Sequence, residues 1–328
     1  MHCPSMKSIA EEIESHVLCK DHCEIFPIQW DHFSDGYPNL FVKNAAKLPG
    51  KRVVLMLSLY RKEGIFEQIS SKSGSSRTRM SELIMLLVLY ALPRHSVRSL
   101  TVILSYFPPG TMERVDLPGQ VATAKTLCRM LSCTPPTSRG PPQVVIYDIH
   151  ALQERFYFAD SILPQLQSAI PLIVKIMETD YKDEPLSIAF PDEGAFKRFN
   201  KNLPNHIPTI TCMKIRQGDK RKVSIMEGEP KDRHVIIIDD LVQSGGTLMN
   251  CKNLLLELGA TKVSCFVTHA VFPNASWQKF AEEPPELRFD KFFVTNSCPE
   301  VTEELKNVDP FHVLSIGPSI CEFLTEYL

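Results

Sequence analysis

The sequence has 328 residues, 44% of them hydrophobic and 23% charged, with a net charge of −2. That length makes two domains the natural expectation and supplies a sizeable core, while the near-neutral charge removes any global case for nucleic-acid or membrane attraction. Ten cysteines without a repeated paired spacing read as reduced, buried thiols of a cytoplasmic protein rather than as a disulfide framework.

Residues 1–21 read as an N-terminal extension. A basic region followed by an apolar one is missing, which argues against a signal peptide, and Glu11, Glu12 and Glu14 argue against an organellar transit segment. Cys19 and Cys23 with His16 and His22 imitate a zinc cluster, but the segment is amphipathic and no second ligand pair follows elsewhere. Residues 22–155 form the first expected domain. "RVVLMLSL" from Arg52 is a strand, "SELIMLLVLYAL" from Ser81 a helix, "SLTVILSYF" from Ser99 a strand, "QVATAKTLCRML" a helix and "QVVIYDIH" from Gln143 a third strand. The apolar run from Leu83 to Leu92 is roughly half of the ~20 residues a membrane span needs, so it reads as a core helix. "CTPPTSRGPP" is a loop inside this βαβαβ unit, which implies a parallel sheet flanked by helices.

Residues 156–310 restart the pattern. A helix through "SILPQLQSAIPLIVKIM" leads to strands "LSIAFPD", "TITCMKI", "VIIIDDL", "KVSCFVTHAVF" and "DKFFVTNS". Residues 311–328 give a strand and a short amphipathic helix, expected to return to the first domain. The architecture is thus α/β and doubled, without the short period of a repeat array.

One stretch carries chemistry most openly. In "HVIIIDDLVQSGGT" a doubly buried strand runs into Asp239 and Asp240, then into Ser244, Gly245, Gly246 and Thr247 ahead of a helix. Ligands of open α/β sheets bind at the carboxyl edge of the strands. Backbone N–H groups and hydroxyls at a helix N-terminus suit a phosphate, and the acids, expected to be solvated there, suit sugar hydroxyls or a hydrated magnesium ion. No lysine follows the glycines, so this is not an ATPase loop. His150 ends a strand beside Asp148, where one ring nitrogen can hold a metal and Asp148 can be a ligand or a supporting carboxylate; packing or capping would also place a histidine there. Asp192 ends another strand, as a magnesium-binding carboxylate, an N-cap or both. Lys214 and Arg216 share a side if "CMKIR" is extended, in a basic segment that Gly218 loosens.

"VIIIDDLVQSGGT" resembles the phosphoribosyl pyrophosphate loop of the type I phosphoribosyltransferase fold, in which the two acids bind ribose hydroxyls and the Ser-Gly-Gly-Thr segment a 5-phosphate. The doubled arrangement, two tandem domains of that type, resembles the ribose-phosphate diphosphokinases from about His32 to Cys321. "FSDGY" at Phe33 resembles the family's nucleotide-contacting element, "YDIHALQERFYF" its metal-histidine motif, "FPDEGAFKRF" its S-P-D-x-G-G strand end, "KIRQGDKRK" its catalytic loop and "VTHAVF" its A-T-H-x-x-F strand. The resemblance implies diphosphoryl transfer from ATP to ribose 5-phosphate by a magnesium-dependent (Mg2+) homo-oligomer. It implies Lys214 and Arg216 as catalytic cations, Phe33, Asp35 and His150 as nucleotide contacts, and His150, Asp148 and Asp192 as metal ligands. Tyr37 stands where the family's common class has an acid, and "YFPPGTMERVD" replaces its polar nucleotide clamp. These features resemble the plant-type class, which implies independence of inorganic phosphate and tolerance of triphosphates other than ATP. A pocket stacking the base between apolar groups such as Phe33 and Phe107 suits that tolerance. Two rivals are a phosphoribosyltransferase, which has no use for "DIHALQERFYF", and a silent regulatory subunit, which has no need of Lys214, Arg216, His150, Asp239 and Asp240 together.

Overall fold

The computed structural model describes residues 1–35, 37–60, 81–217, 220–284 and 287–326, with the side chains of 81–83, 214–217 and 220–223 outside that description. Two units divide the chain, Met1–Gln167 with Ile316–Leu328, and Ser168–Ser315.

In the first unit, α1 (Lys7–Ser15) precedes a hairpin of β1 (Ile28–His32) and β2 (Pro38–Val42). The sheet is β3 (Arg52–Leu57), β4 (Ser99–Leu104), β5 (Gln143–Tyr147) and β6 (Leu163–Gln167), all parallel in that order. Near-continuous aliphatic runs are what a sheet covered on both faces requires, and Leu55, Val102, Ile103, Leu104, Val144 and Ile146 are all fully buried. Between these strands lie α2 (Ser81–Ala91) and α3 (Thr123–Ser132).

Three expectations change here. Residues 1–21 are not an appendage. Met1 donates its amine to the Val54 carbonyl at 3.0 Å, Cys3 donates to Met56 at 2.9 Å, and His2 bridges Met56, so the chain start covers the open edge of β3. Met6 is then buried ahead of α1, and Ile9, Ala10 and Ile13 bury one side of it. The helix expected through residues 161–177 is instead β6 followed by α4 (Ile170–Thr179). Pro164 would break a helix interior but is tolerated on an edge strand, and Pro171 sits in the first turn of α4, where its missing N–H costs nothing. Because β6 pairs with β5, the unit boundary falls after Gln167 rather than at residue 156.

At the other end, β13 (Phe311–Leu314) pairs with β12 (Phe292–Thr295) in the second unit, and only Ile316–Leu328 belongs to the first. The helix there, α9 (Gly317–Thr325), approaches α1 so closely that a Cβ on Gly317 would lie 2.7 Å from the Glu12 carboxyl. Ser319 Oγ lies 3.2 Å from Tyr147 Oη at the end of β5.

The second unit holds a seven-stranded sheet in the order β13, β12, β11 (Lys262–Ala270), β10 (His234–Val242), β7 (Leu186–Phe190), β8 (Thr209–Gln217) and β9 (Lys220–Glu227). All neighbours are parallel except β9, which returns antiparallel along β8. Around it lie α5 (Glu193–Phe199), α6 (Gly246–Glu257), α7 (Gln278–Ala281) and α8 (Pro299–Leu305). Val235 to Ile238 are completely buried, as the doubly covered strand demands. Among the described residues no helix is long and apolar enough to cross a membrane.

Candidate active site

Parallel register brings the chemistry of the second unit to one edge. Ile237 pairs with Ala189 and Phe190 with Thr211, so Asp192, Asp239 and Lys214 all lie beyond these pairings on the carboxyl side, Asp192 just after β7 and Asp239 and Lys214 within β10 and β8. Lys214 and Arg216 are not on a loose loop. Their segment is the β8–β9 hairpin, with Lys214 opposite Val223 and Arg216 opposite Arg221. Gly218 and its neighbour at 219 lie outside the described residues.

The two acids differ. Asp240 is buried, and its Oδ2 lies 2.7 Å from Nη1 of Arg198, itself largely enclosed. Asp239 keeps some exposure, and its Oδ1 accepts the Asp240 N–H at 3.0 Å. Burial first, then the charge and hydrogen bond of Asp240, then Asp192, push the Asp239 carboxyl well above its ordinary range. The expectation of a solvated pair therefore fails for Asp240, because α5 carries Arg198 back onto it. Asp192 is the N-cap of α5, with Oδ1 accepting the Ala195 N–H at 3.1 Å. One short helix thus holds an edge carboxylate at its start and the partner of Asp240 at its end.

Beyond β10 the chain turns through Ser244 and Gly245 into α6. Gly245 has φ +68°, and a Cβ there would lie 2.3 Å from Cζ of Phe280, so both conformation and space require glycine. Gly246 meets nothing within 4 Å and leaves room for a ligand. Ser276 Oγ donates to the Gln243 carbonyl at 2.8 Å, and Lys279 Nζ donates to the Ser244 carbonyl. Phe280 is anchored on Phe292, Phe272 and Phe289 at centroid distances of 5.1, 5.8 and 5.9 Å. The segment after β11 is therefore a rigid brace for the loop. In β11, His269 is buried, and its Nδ1 lies 2.9 Å from Ser297 Oγ, so the histidine of "VTHAVF" is a packed, hydrogen-bonded group.

The first unit places its candidates separately. Phe33 is exposed in the β1–β2 turn, its N–H donating to the Tyr37 carbonyl, while Asp35 Oδ1 accepts the Tyr37 N–H at 2.9 Å. Asp148 is buried after β5 at φ +34°. His150 is half-buried, and a Cβ on Gly110 would lie 3.4 Å from its Cβ, so the Pro108–Gly110 turn packs directly on it. Glu154 Oε1 accepts the Ala151 N–H at 3.1 Å and closes the turn after His150. Phe107 is 3% exposed within the core and cannot stack on a base, which corrects that expectation. β4 ends at Leu104, and the chain turns inward before the prolines.

Among the described residues no three His, Cys, Asp or Glu side chains form a ready cage for a metal. A hydrated divalent cation does not require one, since it keeps waters and takes one or two carboxylates with substrate phosphates. Burial and then the charges of Asp240 and Asp192 raise the Asp239 carboxyl, and a cation held by Asp192 would offset the repulsive part, so the second unit's edge fits such an ion.

Residues 158–286 match the phosphoribosyl transferase domain model. The sequence is 45% identical over 317 residues to ribose-phosphate pyrophosphokinase 4 of Arabidopsis thaliana, covering 96% of this chain and 89% of that protein. The chain belongs to the ribose-phosphate pyrophosphokinase family. Ribose-phosphate pyrophosphokinase 3, chloroplastic, of Oryza sativa subsp. japonica is 44% identical over 98% of this chain and 75% of its own length. The crystal structure of phosphoribosylpyrophosphate synthetase from Mycobacterium smegmatis superposes with a TM-score of 0.77 at 21% identity, covering 99% of this chain and 97% of that one, which shows the shared fold. Sequence reading missed Arg198, Ser276 and Lys279 as neighbours of the candidate site. Their contacts with Asp240, Gln243 and Ser244 span 42, 33 and 35 residues, a separation that no local pattern spans.

Proposed function

We propose that the chain transfers the diphosphoryl group of ATP to the 1-hydroxyl of ribose 5-phosphate, giving phosphoribosyl pyrophosphate and AMP. The observation that supports this best is the shared edge of β7 and β10, where acids and an N–H-rich turn gather at one end of one sheet, with the backbone of Lys214 and Arg216 on the adjoining β8. Asp239 and Asp240 accept hydrogen bonds from the ribose hydroxyls, and Arg198 fixes the Asp240 carboxylate so that its orientation is set before substrate arrives. The N–H groups and hydroxyls from Ser244 to Thr247 receive the 5-phosphate at the positive end of α6.

With the sugar held at both ends, its 1-hydroxyl attacks the β-phosphorus of ATP in line, the bond to the α-phosphate oxygen breaks, and AMP leaves. Positioning and charge stabilisation supply most of the rate enhancement in such transfers. Lys214 and Arg216 on β8 neutralise charge developing on the transferred group. Asp192 in the second unit would hold one magnesium ion and His150 with Asp148 in the first another, and such an ion would supply positive charge to the phosphates. Phe33 and Asp35 contact the nucleotide. A homo-oligomer in the cytoplasm completes the reading; ten free thiols suit a reducing compartment, whereas three relatives carry the names chloroplastic or mitochondrial. The test is AMP release from ATP followed chromatographically with and without ribose 5-phosphate. Release only with the sugar phosphate is expected; release indifferent to it would refute the reading.

A further inference from the structure

Five cations of the second unit hold carboxylates. Arg198 holds Asp240 at 2.7 Å, Lys197 holds Glu193 at 2.8 Å, Arg288 holds Asp309 at 3.0 Å and Lys306 holds Glu303 at 2.7 Å. Lys252, fully buried, holds both oxygens of Glu283 at 2.8 and 2.7 Å. Lys279 differs. Its Nζ donates to the Ser244 carbonyl and lies 5.2 Å from the Phe280 ring centroid, and among the described residues no carboxylate pairs with it. Glu283, whose charge reaches it, is already bound to Lys252. Burial lowers its pKa, as expected of an ammonium that has lost water without gaining an anion.

We propose that Lys279 is a binding residue for the 5-phosphate, supplying from α7 the cation that the Ser244–Thr247 loop lacks in its own sequence. This rests on the reading of that loop as the phosphate site. A phosphate loop with N–H donors and hydroxyls alone gives a dianion dipoles and no full charge. In loops of the ATPase type a lysine directly after the glycines meets that need; here the residues after Gly246 are Thr247, Leu248 and Met249. The fold provides the equivalent from another element. Phe280 lies under Gly245, so the residue beside it is fixed at the loop, and the ammonium's bond to Ser244 places it on the loop's backbone. A lysine has three N–H donors, so the bond to one carbonyl leaves others for phosphate oxygens.

The experiment compares the full-length protein with its Lys279→Met and Lys279→Arg variants. KM for ribose 5-phosphate and for ATP is measured at two salt concentrations, and calorimetric titration records binding of ribose 5-phosphate itself. For Lys279→Met the KM and dissociation constant for ribose 5-phosphate rise on the order of ten- to a hundredfold, as for loss of a charged hydrogen bond, while KM for ATP stays within about twofold. Its salt dependence weakens, and Lys279→Arg recovers most of the loss. Unchanged ribose 5-phosphate affinity in Lys279→Met overturns the inference. A loss that arginine does not recover, with salt dependence intact, also overturns it, because it marks a brace and not a charge. Wild-type protein that makes no AMP in response to ribose 5-phosphate would instead refute the proposed function itself.

Discussion

The carboxyl edges of the two sheets are built from the same strand grammar and end differently. In the second unit, β10 delivers Asp239 and Asp240 to the edge and the next residues turn through a left-handed glycine into α6. In the first, β5 delivers Asp148 and His150, and the chain closes on itself through a short turn tied by Glu154, with the Pro108–Gly110 turn packed on the histidine. One edge leaves N–H groups and space at Gly246; the other fills its space with side chains. The strands set the platform in both, and the loops decide which ligand each platform can take.

Breaking the support of the second edge should have the largest effect. Arg198→Met leaves the Asp240 charge buried without its partner, and removing one member of a buried pair costs about 3–5 kcal/mol. Urea denaturation at neutral pH checks this; a loss below about 1 kcal/mol would mean the pair is effectively solvated. Next come the cations of β8. Lys214→Ala and Arg216→Ala should each lower kcat on the order of 10²–10³ with a much smaller change in KM, since they act on charge that develops only in the transition state. Normal turnover in both variants would reduce the hairpin to a solvated charge run.

Sequence made the platform legible and its braces illegible. The apolar run ending in Asp239 and Asp240 announces a buried strand and an edge because burial on both faces permits little else. The glycine pair announces the turn, because φ +68° and the Phe280 ring exclude side chains. The edge strand β6 was hidden because "LPQLQ" is polar and half-buried, and its proline breaks a helix without showing what replaces it. The basic segment reads as loosened by Gly218, yet residues 214–217 pair with 220–223 across β8 and β9. Phe107 reads as a free aromatic after a strand, while the fold turns it into the core. Arg198 and Lys279 reach Asp240 and Ser244 only through folding, since neither spacing nor residue type distinguishes them from surface cations.

A smaller effect sharpens what the first edge does. Phe33 is exposed and the Pro108–Gly110 turn has few donors, so if these elements meet the nucleotide, few base-edge hydrogen bonds are expected. GTP, CTP and UTP should support the reaction within about tenfold of ATP in kcat/KM, ~1.4 kcal/mol in the transition state. A preference beyond about a thousandfold would reveal a polar clamp. The smallest effect concerns Asp239. Its folded pKa is raised, so the native state holds a proton that the unfolded chain has released, and stability falls as pH rises from the ordinary carboxylate range through that raised value. Asp239→Asn removes this penalty. In magnesium-free thermal melts the variant should match wild type in acidic buffer and gain on it as pH rises; an offset equal at every pH would contradict the assignment.

Hydrogen exchange with and without ribose 5-phosphate compares the two edges in one experiment. If the second unit's edge is the sugar-phosphate site, amides from Asp240 to Met249 gain protection while those from Asp148 to Phe158 exchange unchanged. Protection of Asp148 to Phe158 with none at Ser244 to Thr247 would contradict the account.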